Sequence, residues 1–284
     1  MNGTLSTQLA RAYFSHFPIE YGKWRLWTAL APSLRAQHIA PCVIRMANGA
    51  SIQLDPADYI DAFIYFWRQW EPNETWLLRK VLRPGDAFVD VGANIGYFTL
   101  LASRLVGASG SITAIDATPP TVDKLRGNIA LNGLKNVTVH ACAVAESAGT
   151  IRIHRTHGAN SGMNSMRPNA TGEGWDVPAL PLSQILPKAA IRLIKMDVEG
   201  AELIALRGMI ARLQEPDAPD LMLEICPAYV TALGGDHREI FSMLTNAGYA
   251  CSEVKDRILK PISAAEFATT EVMTAYFSKR AWVN

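Results

Sequence analysis

The hydrophobic pattern of the chain changes character near residue 87. Before it, aromatic residues fall at uneven spacing (Tyr13, Phe14, Phe17, Tyr21, Trp24, Trp27). This predicts short helices that pack on another element. Val43 to Leu54 reads as two short strands around Asn48-Gly49, a dipeptide that tolerates positive φ at both positions. A helix is predicted from Tyr59 to Trp70, stopped by Glu71-Pro72, and another from Glu74 to Leu82 ahead of the Pro84-Gly85 turn.

From Ala87 onward, short apolar runs alternate with helical patterns. The predicted strands are Ala87–Val91, Ser111–Ile115, Val137–His140, Ile191–Met196 and Leu221–Ile225. The helices between and after them are Ile95–Val106, Pro120–Asn132, Gly200–Leu213 and His237–Ala247. Strands separated by helices imply a mostly parallel sheet covered on both faces. Two final strands, Tyr249–Val254 and Val272–Ser278, have no long helix between them and predict an antiparallel edge. Residues 155–176 are polar and rich in Gly, Asn and Ser, which suits either a lid or a solvated insertion.

Composition narrows the class. Of 284 residues, 49% are hydrophobic and 19% charged, enough apolar material for a sizeable core. A formal charge of +1 argues against a nucleic-acid or membrane-surface protein. The start, MNGTLSTQLAR, lacks the basic and apolar regions of a secretory signal. Cys42, Cys142, Cys226 and Cys251 form neither a CxxC pair nor a zinc-ligand spacing, so buried thiols in a reducing, cytoplasmic compartment are expected.

The chemistry concentrates where predicted strands end. Asp90-Val91-Gly92-Ala93-Asn94-Ile95-Gly96 closes one strand and opens a helix, the context of a nucleotide-binding turn. Asn94 replaces the second glycine of G-x-G-x-x-G, which disfavours a pyrophosphate against the turn and hence NAD or FAD. Asp116, twenty residues beyond Gly96, suits the two hydroxyls of a ribose, or else caps the helix after it. Cys142 and Ala143 are either neighbours of an adenine or plain core. Asp197 ends the strand before Val198-Glu199-Gly200-Ala201-Glu202, and Glu224 ends the next. Glu202 has a simpler alternative role at the positive end of a helix. Asp90, Asp197 and Glu224 converge on one crevice with Asp116 at its side. Such an acidic crevice suits a cationic nucleoside, and S-adenosylmethionine carries a sulfonium and an ammonium. Asp197 and Glu224 would also suit a hard cation such as Mg²⁺, although no third ligand can be named.

Three segments together carry a family resemblance: Phe88 to Phe98 (FVDVGANIGYF), Asn128 to Gly133 (NIALNG) and Ile194 to Glu202 (IKMDVEGAE). With the upstream Trp70-Glu71-Pro72-Asn73-Glu74 and Ala247-Gly248-Tyr249, the chain resembles the FkbM-type methyltransferases from about residue 43 to 255. The resemblance implies an α/β fold of the Rossmann-like class I methyltransferase type. Its sheet would have seven strands, mostly parallel with the last antiparallel, after an N-terminal helical and hairpin cap over residues 1–75. The methyltransferase domain proper would span 76–284. The resemblance also implies that Asp90, Gly92, Asn94 and Gly96 hold the methionine part of S-adenosylmethionine and Asp116 the ribose, with Glu71 added to the cofactor set. The family usually has Glu-Pro where this chain has Asp116-Ala117, so the ribose contact uses a shorter arm. It usually has Leu-Asp where this chain has Leu182-Ser183.

The expected activity is therefore methyl transfer to a small molecule, most simply to a hydroxyl of a sugar or secondary metabolite. Asp197 is the first candidate for the base, followed by Glu224 and His157. The alternatives are a cofactor-binding regulatory subunit without catalysis and a divalent-metal-dependent O-methyltransferase. No metal ligand set is assigned, and nothing in the motifs identifies the acceptor or the oligomeric state.

Overall fold

The computed structural model describes residues 4–16, 22–156, 160–168 and 172–280. These divide into two compact units, one reaching to Glu71 and including residues 160–162, the other comprising the rest from Pro72.

The first unit contains α1 (Leu5–His16), α2 (Lys23–Arg35), the hairpin of β1 (Cys42–Arg45) and β2 (Ser51–Leu54), and α3 (Tyr59–Trp67). Asn48 and Gly49 form the hairpin turn, where the Asn48 Oδ1 accepts the Ala50 amide at 2.9 Å. The scattered aromatics find their partners on α3. Trp27 meets Phe63 edge-on with ring centroids 5.3 Å apart, and Phe14 stacks on Trp67 at 5.2 Å. Such offset and edge contacts add to the burial of large rings. Asp58 caps the start of α3 through the Ile60 amide. The helix ends at Trp67 rather than Trp70 because Arg68 turns left-handed, φ 58°, and its amide closes on Ile64.

The second unit runs in chain order through α4 (Pro72–Val81), β3 (Ala87–Val91), α5 (Tyr97–Val106), β4 (Ser111–Asp116), α6 (Pro119–Leu131) and β5 (Val137–Ala141). Next come β6 (Ala143–Val144), β7 (Gly149–His154), β8 (Gly174–Leu180), α7 (Leu182–Ile185), β9 (Leu193–Met196), α8 (Glu202–Arg207) and α9 (Ile210–Gln214). It closes with β10 (Asp220–Ile225), α10 (Pro227–Ala232), α11 (His237–Asn246), β11 (Ala250–Lys255), β12 (Ile258–Pro261), α12 (Ala264–Ala268) and β13 (Met273–Ser278). The main sheet has the order β12-β11-β13-β10-β9-β3-β4-β5. β10, β9, β3, β4 and β5 run parallel to their neighbours, and β13 is antiparallel to both β10 and β11.

Among the described residues the sheet thus has eight strands, not seven. The extra one, β12, pairs antiparallel with β11 at the edge. Its hairpin turn uses Asp256 and Arg257, both with positive φ (52° and 57°) and neither a glycine. A second departure is a separate three-stranded sheet, β6-β8-β7, built on a small core of Ala143, Ala145, Ile153, Val177 and Ala179. A third is the break of the predicted Gly200–Leu213 helix into α8 and α9 at Gly208, which packs against the Ala145 carbonyl.

Every residue of β3 is buried. A strand covered on both faces needs a largely apolar run, here broken only by Asp90, and each large apolar side chain removed from water there contributes roughly 1.5–3 kcal/mol. The chain passes from β3 outward to β4 and β5, then returns to β9 on the other side of β3. This reversal makes the β3/β9 boundary the topological switch point, where ligands bind beyond the carboxyl ends of the strands. No helix among the described residues is long and apolar enough to cross a membrane.

Candidate active site

The crevice is built where β3 and β9 end side by side. The Asp197 amide donates to the Val91 carbonyl at 3.0 Å, and the amides of Gly92 and Ala93 donate to the Ile115 carbonyl at 2.9 and 3.0 Å. These bonds lock the turn after β3 between its two neighbours. Gly92 has φ 79°, and a Cβ there would overlap the Asp197 carbonyl oxygen. Only glycine meets both conditions. Asn94 is left-handed as well, φ 49°, and Gly96 caps α5 from φ 96°. Asn128 of α6 donates from Nδ2 to the Ile95 carbonyl at 2.8 Å and steadies the turn from below.

Four acidic residues stand at or near the carboxyl ends of the strands around this turn. Asp90 is fully buried, and its Oδ2 accepts the Thr99 hydroxyl at 2.6 Å. Burial raises its carboxyl above the ordinary range, while Lys195 and the Thr99 hydroxyl pull it down. Asp116 accepts the Asn94 amide on Oδ2 and the Thr118 amide on Oδ1, each at 2.9 Å. Burial nevertheless pushes it up to about 6. Both bonds go to amides of the turns after β3 and β4 rather than to the free amides of α6, which has no side-chain cap, and they leave lone pairs for a further donor. Asp197 is partly exposed, with Lys195 Nζ 3.3 Å from its Oδ2. Glu224 is the penultimate residue of β10, opposite Thr274 in the β10–β13 register.

Two further acids shape the turn after β9. Glu202 is buried, and its Oε1 accepts the amides of Val198 at 3.1 Å and Gly200 at 3.3 Å. It therefore folds the turn in addition to sitting at the start of α8. Glu199, at φ 56°, pairs with Arg167 at 3.3 Å. Burial raises both, to about 7, and Asp197 adds to the rise. Arg167 also lies 3.4 Å over the Tyr229 ring. It fixes the described end of the polar stretch to the turn after β9.

Of the sequence-predicted residues, Asp90, Gly92, Asn94, Gly96, Asp116, Asp197 and Glu224 all lie on turns or strand ends of the one sheet edge. Cys142 and Ala143 are buried, in the main core and the small-sheet core respectively, and the Cys142 amide donates to the Asp116 carbonyl at 3.1 Å. Glu71 belongs to the first unit and is left-handed, φ 41°. His157 lies outside the described residues. Sequence reasoning missed Thr99, Lys195, Glu74 and Arg167. Glu74 lies on α4, bonds the Thr274 hydroxyl and is raised by burial, with Lys195 and Asp197 close enough to act on it. Its signal was its place in the Trp70–Glu74 segment. The register gave another, because Lys195 stands directly beside Asp90 on the neighbouring strand.

The crevice suits a cationic ligand with hydrogen-bond donors. Asp90 Oδ1 and Asn94 Oδ1 are buried acceptors without a hydrogen-bond partner among the described residues. Buried acceptors left unpaired are costly, so a donor-bearing ligand at this turn relieves them. No group of three or more His, Cys, Asp or Glu side chains among the described residues is arranged to hold a metal ion.

Comparison with known proteins agrees with this geometry. The family model described as the methyltransferase FkbM domain matches residues 90–251. The chain is 27% identical over 263 residues to the 31-O-demethyl-FK506 methyltransferase FkbM of Streptomyces tacrolimicus, covering 81% of this chain and 94% of that protein. It is 28% identical over 191 residues to Methyltransferase 1 of Beauveria bassiana, covering 59% of this chain and 74% of that one. A methyltransferase named sdnD from Sordaria araneosa is 30% identical over 162 residues, covering 44% and 61%. With the family model spanning the turn after β3, the whole β9 motif and the strands around them, the chain belongs to the FkbM methyltransferase family and is an S-adenosylmethionine-dependent methyltransferase.

Proposed function

We propose that the protein methylates a hydroxyl of a small molecule, a sugar or secondary metabolite, with Asp197 as the base. The observation that carries this is the state of the Asp197 carboxylate. It stands at the carboxyl end of β9 beside the Gly92 turn, one oxygen tied to Lys195 and the other, Oδ1, without a hydrogen bond among the described residues. The relative from Streptomyces tacrolimicus carries in its name an O-demethylated acceptor, which favours oxygen over nitrogen.

In this reading Asp90, Asn94 and the Gly92 and Gly96 backbone hold the methionine end of the cofactor. Asp116 accepts from the ribose, and Cys142 and Ala143 lie toward the adenine. Bound S-adenosylmethionine supplies an electrophilic methyl group on a sulfonium. The protein must align the acceptor oxygen with that carbon and receive the hydroxyl proton. Asp197 Oδ1 takes the proton as the oxygen gains the methyl, and then passes it to solvent, to which the side chain is partly open. The acidic wall also favours the cationic form of the cofactor over its neutral product, which aids release after transfer.

The test is transfer from methyl-labelled S-adenosylmethionine to a panel of methyl glycosides, polyols and hydroxylated macrolactones, read by mass spectrometry. A methyl ether on one class is the expected result. Labelling confined to amines or thiols would overturn the assignment to oxygen.

A further inference from the structure

Lys195 is a buried cation of the crevice, used above only as the partner of one Asp197 oxygen. It is 4% exposed on β9. Its Nζ lies 3.3 Å from Asp197 Oδ2 and 4.8 Å from the centroid of the Phe98 ring on α5. The cross-strand register places it beside Asp90 on β3 and Met222 on β10. Its charge also acts on Glu74 of α4 and Glu199 of the turn after β9. Four carboxyls from β3, α4 and the β9 end therefore surround one ammonium. A buried lysine is expensive unless paired, and an apolar residue such as the neighbouring Met196 would serve the strand better.

We propose that Lys195 is a positioning residue for methyl transfer, holding Asp197 by Oδ2 so that Oδ1 is the oxygen left to receive the acceptor's proton. This rests on Asp197 being the base. A carboxylate tethered at one oxygen loses rotational freedom, so its other oxygen is pre-set for the acceptor. The same ammonium offsets the mutual repulsion of Asp197 with Asp90, Glu74 and Glu199. Arg167, the other cation nearby, is engaged with Glu199 and Tyr229 and does not substitute for it.

The experiment follows the Asp197 carboxyl itself, so it needs no acceptor. Protein labelled with 13Cγ-aspartate is titrated with and without saturating S-adenosylhomocysteine, and the Asp197 signal is assigned by its loss in Asp197→Asn. Lys195→Met should raise the Asp197 midpoint by about one pH unit or more, and Lys195→Arg should return it to within about half a unit of wild type. An unchanged midpoint in Lys195→Met overturns the proposal. Should Lys195→Met fail to fold, the wild-type protein still decides. The 15Nζ signal of Lys195 should move with the Asp197 titration, and a signal indifferent to it overturns the proposal. Failure of S-adenosylhomocysteine to bind wild-type protein would instead strike the reading of the site, because the titration in the free protein does not depend on that ligand.

Discussion

The backbone at Gly92 sits so close to the Asp197 carbonyl that no side chain fits between them. The cofactor turn after β3 and the candidate base after β9 are thereby set against one another through main chain. The Asp197 amide on the Val91 carbonyl fixes the same spacing from the other direction.

Gly92→Ala tests that spacing. The left-handed φ alone costs a residue with a Cβ about 1–2 kcal/mol, and the overlap with the Asp197 carbonyl must be relieved by moving a strand end. The expected loss of stability is about 3 kcal/mol or more, with S-adenosylhomocysteine binding lost or greatly weakened. Urea unfolding and calorimetric titration check it. A variant with the wild-type midpoint would show that the two ends move apart freely.

Ligand choice follows from the same crevice. S-adenosylhomocysteine and S-adenosylmethionine should each raise the unfolding temperature, since they bind only the folded state, and NAD should not. Asn94 in the turn and the acidic edge are the reasons. Thermal-shift scans distinguish the outcomes, and a shift with NAD alone would reverse the assignment.

Asp116 gives a pH dependence of definite sign. Free aspartate titrates near about 4, and burial places Asp116 at about 6 in the folded protein, with Asp90 and Asp197 adding repulsion. Between those values the folded chain holds the extra proton. Its contribution to stability is therefore largest at low pH and is lost as pH rises through about 6. A ribose that donates to the carboxylate requires the ionised form. Affinity for S-adenosylhomocysteine should therefore fall up to about tenfold per pH unit below about 6 and level off above about 7. Calorimetry on wild type and Asp116→Asn from pH 5 to 8 measures it. The variant should bind more weakly and lose the step at 6, and an identical profile would leave Asp116 only its two bonds to turn amides.

Asp197→Asn should keep most cofactor affinity while slowing methyl transfer by roughly two orders of magnitude or more. Asparagine preserves the shape and the hydrogen bonds but cannot take the proton. Single-turnover rates with the acceptor found by screening, with and without EDTA, separate this from two rivals. Loss in affinity alone would make the residue a cofactor ligand, and loss on chelation with rescue by Mg²⁺ would make it a metal ligand.

Asp220 provides the contrasting control at the opposite end of β10. It is fully buried, bonded by Tyr276 at 2.6 Å, Ser278 at 2.8 Å and Arg280 at 2.7 Å, and paired with Arg192. Asp220→Ala strands these donors and should destabilise the fold by about 3 kcal/mol or more. The folded fraction should bind S-adenosylhomocysteine as before. A selective loss of binding would show that the two ends of the sheet are coupled.

The parts of this site legible in the sequence are those written locally. Gly92, Asn94 and Gly96 punctuate a strand-to-helix passage within seven residues, and Asp197 follows a mostly apolar strand that Lys195 interrupts. The missed parts depend on distance or on turns without the usual residues. Glu74 finds Thr274 two hundred positions away, which no periodicity reports. β12 escaped because Asp256 and Arg257 make a left-handed turn where Asn and Gly would have announced one. β7 carries mostly exposed or half-buried side chains, so its alternation was too faint to read. Arg68 ended α3 early by the same device as the β12 turn, a left-handed residue with an ordinary side chain.

β13 follows β11 and β12 in the chain, yet lies between β11 and β10. As the protein leaves the ribosome, β11 and β12 can form their hairpin but cannot join the sheet, and the flank of β10 stays open until β13 slots in. Glu74 waits through the same interval, because its Thr274 partner arrives on that strand. During synthesis an open strand edge next to a half-assembled acidic crevice is exposed to pairing with other chains. Ribosomes stalled before residue 273 should therefore carry chains that bind chaperones, and release past 278 should end that binding.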